Sequence, residues 1–224
     1  KKHVLFTVVL LAAALLGGAG CNGNTSETET PLPVLENAGQ VTLAGGRNRI
    51  VCRWTGMPQE VASIRLRLGD DGTPHDIPAG DGNGEKELTG IEEGSWPAEV
   101  RYVTDDGGIF AGPAPTVTVY GDRYEASLKN RTVTGAYFAG ASATVTLGNS
   151  CPEGLVGQEF TYVSAVGEPR TRYCEARHDG SKQTVAFDDA GGDISYRCVY
   201  RPSEITGDLF YSPAATISNY TRVD

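Results

Sequence analysis

Between Gly94 and Gly121 the sequence GSWPAEVRYVTDDGGIFAGPAPTVTVYG alternates as an extended chain with one buried side must. Ala98, Val100 and Tyr102 take turns with Glu99, Arg101 and Val103, a period of two. Asp105-Asp106-Gly107-Gly108 supplies the residues that a tight hairpin turn needs, and Val117 and Val119 resume the alternation up to Tyr120. A looser copy, GGDISYRCVYRPSEITGDLFYSPAATISNY, runs from Gly191 to Tyr220. Two hairpins of one design predict an all-β chain of two β-sandwich domains in tandem.

The segments around the hairpins agree. Ile50, Cys52 and Trp54 alternate with Arg49, Val51 and Arg53, and Ile64, Leu66 and Leu68 alternate with Arg65 and Arg67. Asp-Gly runs near residues 70 and 81 interrupt the pattern, giving short strands with frequent turns, the signature of a sandwich. Twenty-nine glycines, 12 prolines and a single methionine suit strands and turns better than helices. The expected organisation is residues 1–20 a signal peptide, 21–38 a lipidated flexible tether, 39–121 the first sandwich, 122–131 a short ordered joint and 132–224 the second sandwich. In the joint, Asp122 can cap a helical turn, with Tyr124 and Leu128 on one face.

The first residues address the compartment. Lys1-Lys2 is basic, Val4 to Gly20 carries no charge, and small residues lead to Cys21. This pattern predicts a secretory signal ending in a lipobox-like site, with Cys21 as the lipid attachment point. Two or three acyl chains, at about 0.8 kcal/mol per buried methylene, would hold the protein on a membrane without spanning it. The expected location is the cell surface, lipid-anchored at the outer membrane. Removal of the leader takes away two lysines and moves the net charge from −9 to −11. Such an acidic balance argues against a nucleic-acid partner.

Trp54, the run Glu93-Gly94-Ser95-Trp96, and a final strand after a proline-bearing turn resemble a fibronectin type III domain, an immunoglobulin-like β-sandwich, with Trp96 standing in for the usual corner tyrosine. The segments GRNRIVCRW (Gly46 to Trp54) and VYGDRYEASLKNR (Val119 to Arg131) resemble an uncharacterised family of surface lipoproteins from Bacteroides-type bacteria, over nearly all of the chain beyond the leader. That resemblance implies a cell-envelope accessory protein, often beside glycan-uptake machinery, with no catalytic residues ascribed to either motif.

Sites for chemistry are sparse. His75 and His178 have no partners at metal-ligand spacing beyond Cys174, four residues before His178, so no metal or other cofactor is expected. Asp81 to Glu85 is loosely like a calcium loop, but turn composition explains it equally well. No nucleophile-elbow spacing appears, and an enzyme is not expected. An exported chain permits disulfides. Cys174 and Cys198 are the favoured pair among three full pairings and several partial ones, while Cys52 shares the parity of the core. Phe110, Tyr173 and Tyr211 are the candidate ligand-facing aromatics. Arg65, Arg67 and Arg101 face outward from neighbouring strands, either as a solvated ladder with Glu99 or as a face for an acidic ligand. The expected role is a non-enzymatic surface binding or adhesion module with a protein or glycan partner. The alternative is a structural spacer or subunit of an envelope complex without a ligand of its own.

Overall fold

The computed structural model describes residues 31–70, 72–80, 82–217 and 221–223. The leader and Cys21 lie outside the described residues. The first sandwich comprises β1 (Gln40–Gly46), β2 (Arg49–Met57), β3 (Val61–Leu68), β4 (His75–Pro78), β5 (Gly82–Thr89), β6 (Gly94–Thr104), β7 (Ile109–Ala111) and β8 (Thr116–Val119). One sheet runs β1-β2-β5. The other runs β4-β3-β6-β7, with β7 on the second half of β6 and β8 on its first half. The inward set Ile50, Cys52, Trp54, Ile64, Leu66, Ala98, Val100 and Tyr102 forms one cluster, at the alternate positions that the period of two assigns.

The long hairpin forms as expected. Asp106 Oδ1 accepts from Thr104 Oγ1 and from the Gly108 N–H, closing the turn. Its return strand is split because Pro113 and Pro115 have no N–H to give. Their carbonyls still accept from Val100 and Ala98 at 3.1 and 2.8 Å, so the pairing continues across the break. Trp96 Nε1 donates to the Glu92 carbonyl at 2.9 Å, which ties the corner that a tyrosine hydroxyl would otherwise hold. Just before β1, Val34 pairs with Ala111 in parallel, and the Ala111 N–H donates to the Pro33 carbonyl.

After α1 (Asp122–Ser127), the second sandwich comprises β9 (Val133–Ala139), β10 (Ser142–Leu147), β11 (Leu155–Ser164), β12 (Pro169–Glu175), β13 (Gln183–Phe187), β14 (Ala190–Tyr200), β15 (Phe210–Tyr211), β16 (Ala215–Thr216) and β17 (Thr221–Val223). Its sheets run β13-β10-β9-β17 and β12-β11-β14-β15, with β16 also on β14. Strand for strand, β11, β12 and β14 repeat β3, β4 and β6. Phe138, Val145, Leu147, Phe160, Val185, Phe187 and Ile194 make its main core. A second cluster, Leu128, Leu155, Cys198, Tyr200 and Phe210, joins Tyr120 and Tyr124 and carries packing continuously from one sandwich into the next.

Candidate functional site

Two places gather side chains that neither core requires. The first is the joint. The β1–β2 turn presents Arg47 and Arg49 to the loop before β15. The Arg49 guanidinium donates to both Asp208 oxygens at 2.8 and 3.1 Å and to the Thr206 carbonyl at 3.0 Å, and the Arg47 N–H donates to Asp208 Oδ2 at 2.7 Å. The hydrogen bond to Asp208 raises the Arg49 pKa despite partial desolvation, so its charge is fixed. Gly46 makes this approach available, since a Cβ there would sit 2.3 Å from Asp208 Oδ2. Arg47 also bonds Glu125 at 2.8 Å and stacks 4.4 Å from the Phe210 ring, beside Tyr120 and Tyr124.

The cap of α1 differs from the expected one. Asp122 does not cap the helix; the Glu93 carboxylate, from the corner before β6, accepts the Arg123 and Tyr124 N–H groups. Desolvation opposes ionisation of Glu93, yet these bonds together with Arg123 hold its pKa below the usual carboxylate range. Past the helix, Arg131 is buried, donating to the Gly148 and Ser181 carbonyls and to Gln183 Oε1. Tyr200 and Tyr196 bond the Lys129 and Arg131 carbonyls.

The second place is the outward face of β12-β11-β14-β15. Register sets Tyr173 opposite Glu159 and Glu159 opposite Arg197, with Glu175, Gly157, Val199 and Tyr211 forming the next row. Tyr173, half exposed, leans diagonally over Gly157 and donates from its hydroxyl to the Val156 carbonyl at 3.1 Å. A Cβ at Gly157 would lie 2.2 Å from the Tyr173 hydroxyl, so only glycine leaves room for the ring. From the other side, Tyr211 meets the Arg197 guanidinium 4.1 Å from its ring centroid, and Arg197 is held by Glu159 at 2.6 Å. Val199 faces outward yet is 3 % exposed. Burial, then the Glu175 charge, raises the Tyr173 pKa, and the Tyr211 phenol acts in the same direction. The joint reaches this face, because Glu125 accepts the Tyr211 N–H at 2.9 Å while also bonding Arg47.

A single family model, DUF4998, described as a domain of unknown function, matches residues 36–210, through the first sandwich, the joint and most of the second. The chain belongs to DUF4998. No curated protein matches it. Among solved structures, it is similar to the FN1–FN3 domains of chicken CNTN1 at 11% identity, covering 88% of this chain and 70% of that one with a TM-score of 0.39. It is similar to the fibronectin(III)-like modules of Clostridium thermocellum CbhA at 14% identity, covering 79% and 91%, with a TM-score of 0.37. A two-domain fibronectin type III segment of chicken tenascin matches at 12% identity, covering 83% and 100%, with a TM-score of 0.34.

The other anticipated residues of this DUF4998 chain fall as follows. Tyr173 and Tyr211 share one face, but Phe110 does not join them. It pairs with inward Tyr102 and packs against the first core, a correction that follows from register. Cys174 and Cys198 are not bonded. Both pair with Gln158, from opposite sides of β11, which places their Cα atoms two strand spacings or about 9–10 Å apart. That exceeds the reach of a disulfide, about 7 Å. Cys52 is fully buried, and burial pushes its thiol to about 11. Arg65 pairs with Asp76, while Arg67 and Arg101 share Glu99, so every arginine of this ladder already has a carboxylate partner.

Among the calcium-loop residues, Asp81 lies outside the described ones, Asn83 accepts the Gly56 N–H, and Glu85 binds Arg53. His178 meets Cys151, not Cys174, at 3.2 Å, a contact that no sequence spacing announced. Burial raises the Cys151 pKa, which keeps its thiol protonated at neutral pH.

Proposed function

We propose that this DUF4998 protein is a non-catalytic binding module of the bacterial cell envelope, tethered by lipid at Cys21 as in surface lipoproteins of Bacteroides-type bacteria. Its partner docks on the outward face of β12-β11-β14-β15. The observation that carries this reading is the convergence of Tyr173 and Tyr211 over Gly157 and Val199. Neither ring contributes to a core cluster, yet each is fixed, Tyr173 by its bond to Val156 and Tyr211 by Arg197 and through Glu125. Side chains held in place before binding lose little freedom when a partner arrives, which is how a recognition surface gains affinity. The charge-free run before Cys21 and the acidic stretch after it support a tether.

The test is a photo-crosslinking residue in place of exposed Thr171, on the same face, in the full protein within the cells that make it. Adducts that vanish with Tyr173→Ala are expected. Absence of adducts would remove the binding role of this face. Mass spectrometry of the N-terminal peptide should show an acylated Cys21, and an unmodified residue there would remove the anchor.

A second reading, a spacer that sets distance between other envelope proteins, draws support from the joint. Two sandwiches that served only as independent binders would have no need of Arg47 and Arg49 clamped on Asp208.

A further inference from the structure

Resting on that reading of the face, we infer that what docks there is a neutral glycan chain, laid across the sheet with sugar rings on Tyr173 and Tyr211. Three features point to this class. The first is shape. The two tyrosines come from the outer strands of a four-strand face, with Cα atoms about 14 Å apart at the usual strand spacing, and Tyr173 leans inward to narrow the gap. That span accommodates a short run of rings rather than one small molecule.

The second is charge. Arg197 is paired with Glu159 and Arg201 with Glu204 at 3.1 Å, so the cations of this face are already met by carboxylates. An acidic chain would have to displace Glu159 or Glu204 and approach Glu175 as well, on a protein of net charge −9. A neutral polyhydroxylated chain meets no such barrier. It finds guanidinium donors and carboxylate acceptors already oriented, and bonds to charged groups are the stronger kind.

The third is the amount of apolar surface. A stable protein interface buries about 800 Å² per partner around a desolvated apolar centre. Here the apolar surface is two rings with Val199 almost covered beneath them, ringed by Glu159, Arg197, Glu175 and Thr171, and a single exposed Val163 further along β11, well short of such a centre. Tyrosine supplies a rigid apolar plane with a polar tip, the combination suited to a sugar ring whose faces are apolar and whose edge is hydroxylated.

The experiment is affinity gel electrophoresis of the purified protein through gels containing a mixed-linkage glucan, a mannan, a xylan or, as the acidic comparison, polygalacturonate. At least one neutral polymer should retard the protein. Tyr173→Ala and Tyr211→Ala should each weaken that retardation about tenfold or more, as for residues at the centre of a binding surface. Tyr173→Phe, which keeps the ring, should retain most of it, and unchanged circular dichroism melts would show that the variants fold. No retardation by any neutral polymer, equal retardation of Tyr173→Ala, or preference for polygalacturonate would overturn the inference. Protein adducts at Thr171 alongside silent gels would overturn the glycan while leaving the face as a binding surface. Silence in both would remove the two together.

Discussion

The two sandwiches carry the same sheet twice and use its outer side differently. On the first, the positions facing solvent hold Arg65 with Asp76, and Glu99 between Arg67 and Arg101. Cross-strand neighbours of opposite sign hold one another there. On the second, the matching strands hold Tyr173, Glu159 and Arg197, with Tyr211 on β15, which stands where β7 does in the first. Strand alternation dictates which positions look outward and says nothing of what stands there. A ladder whose arginines are each already ion-paired is a finished surface, whereas two fixed rings beside oriented charges are a surface with something left to do.

The largest effect is expected in the core beneath the first face. Trp54→Ala should cost about 3–5 kcal/mol in chemical denaturation, the cost of truncating a core aromatic. Tyr173→Ala should cost less than about 1.5 kcal/mol, since its ring is half exposed. Equal losses would mean that Tyr173 belongs to a core. Next is the clamp. Asp208→Ala leaves the Arg47 N–H without its acceptor and removes two of the bonds made by Arg49, and should cost about 1–3 kcal/mol. It should also separate the unfolding of the two sandwiches in a calorimetric scan. A single unchanged transition would show that the joint does not couple them.

Gly157→Ala should cost about 1 kcal/mol by driving the Tyr173 ring off its seat, read as altered tyrosine fluorescence. The smallest effect belongs to the ladder. Desolvation works against the Glu99 carboxylate, but Arg101 and Arg67 together lower its pKa. A carboxyl depressed on folding stabilises above its unfolded pKa, and that contribution is lost as pH falls through the folded value. Glu99→Gln should therefore cost up to about 1 kcal/mol at neutral pH. The difference should disappear once acid has protonated Glu99 in the folded protein, and a gap that persisted beyond that would assign the effect to packing.

Much of the fold was legible because it rests on neighbours in sequence. Ala98, Val100 and Tyr102 declare their side of β6 by period alone, and Asp106 closes its turn within a few residues. What was illegible depends on which strand lies between two others. Cys174 and Cys198 both read as strand residues of one domain, and nothing in their spacing shows β11 separating them. Phe110 sits on a strand of three residues, too short for alternation to settle its side. The Asp122 cap failed for a similar reason, since Glu93 reaches α1 from thirty residues upstream of Arg123. The joint did leave a trace. Arg47 and Arg49 in GRNRIVCRW are more charge than a hairpin turn requires, and that surplus was the signal of a partner surface.

The pairing of Val34 with Ala111 has a geometric consequence. It is parallel, so the chain joins the first sandwich at the end of β7 from which β8 and then α1 lead away. Arrival and departure thus lie at opposite poles. The face that carries Tyr173 and Tyr211 therefore belongs to the departure side of the first sandwich. Val34 joins level with Arg101, seven residues or roughly 23 Å along β6 from Gly94, where β8 ends, and Tyr211 takes up the face just past that exit by its bond to Glu125.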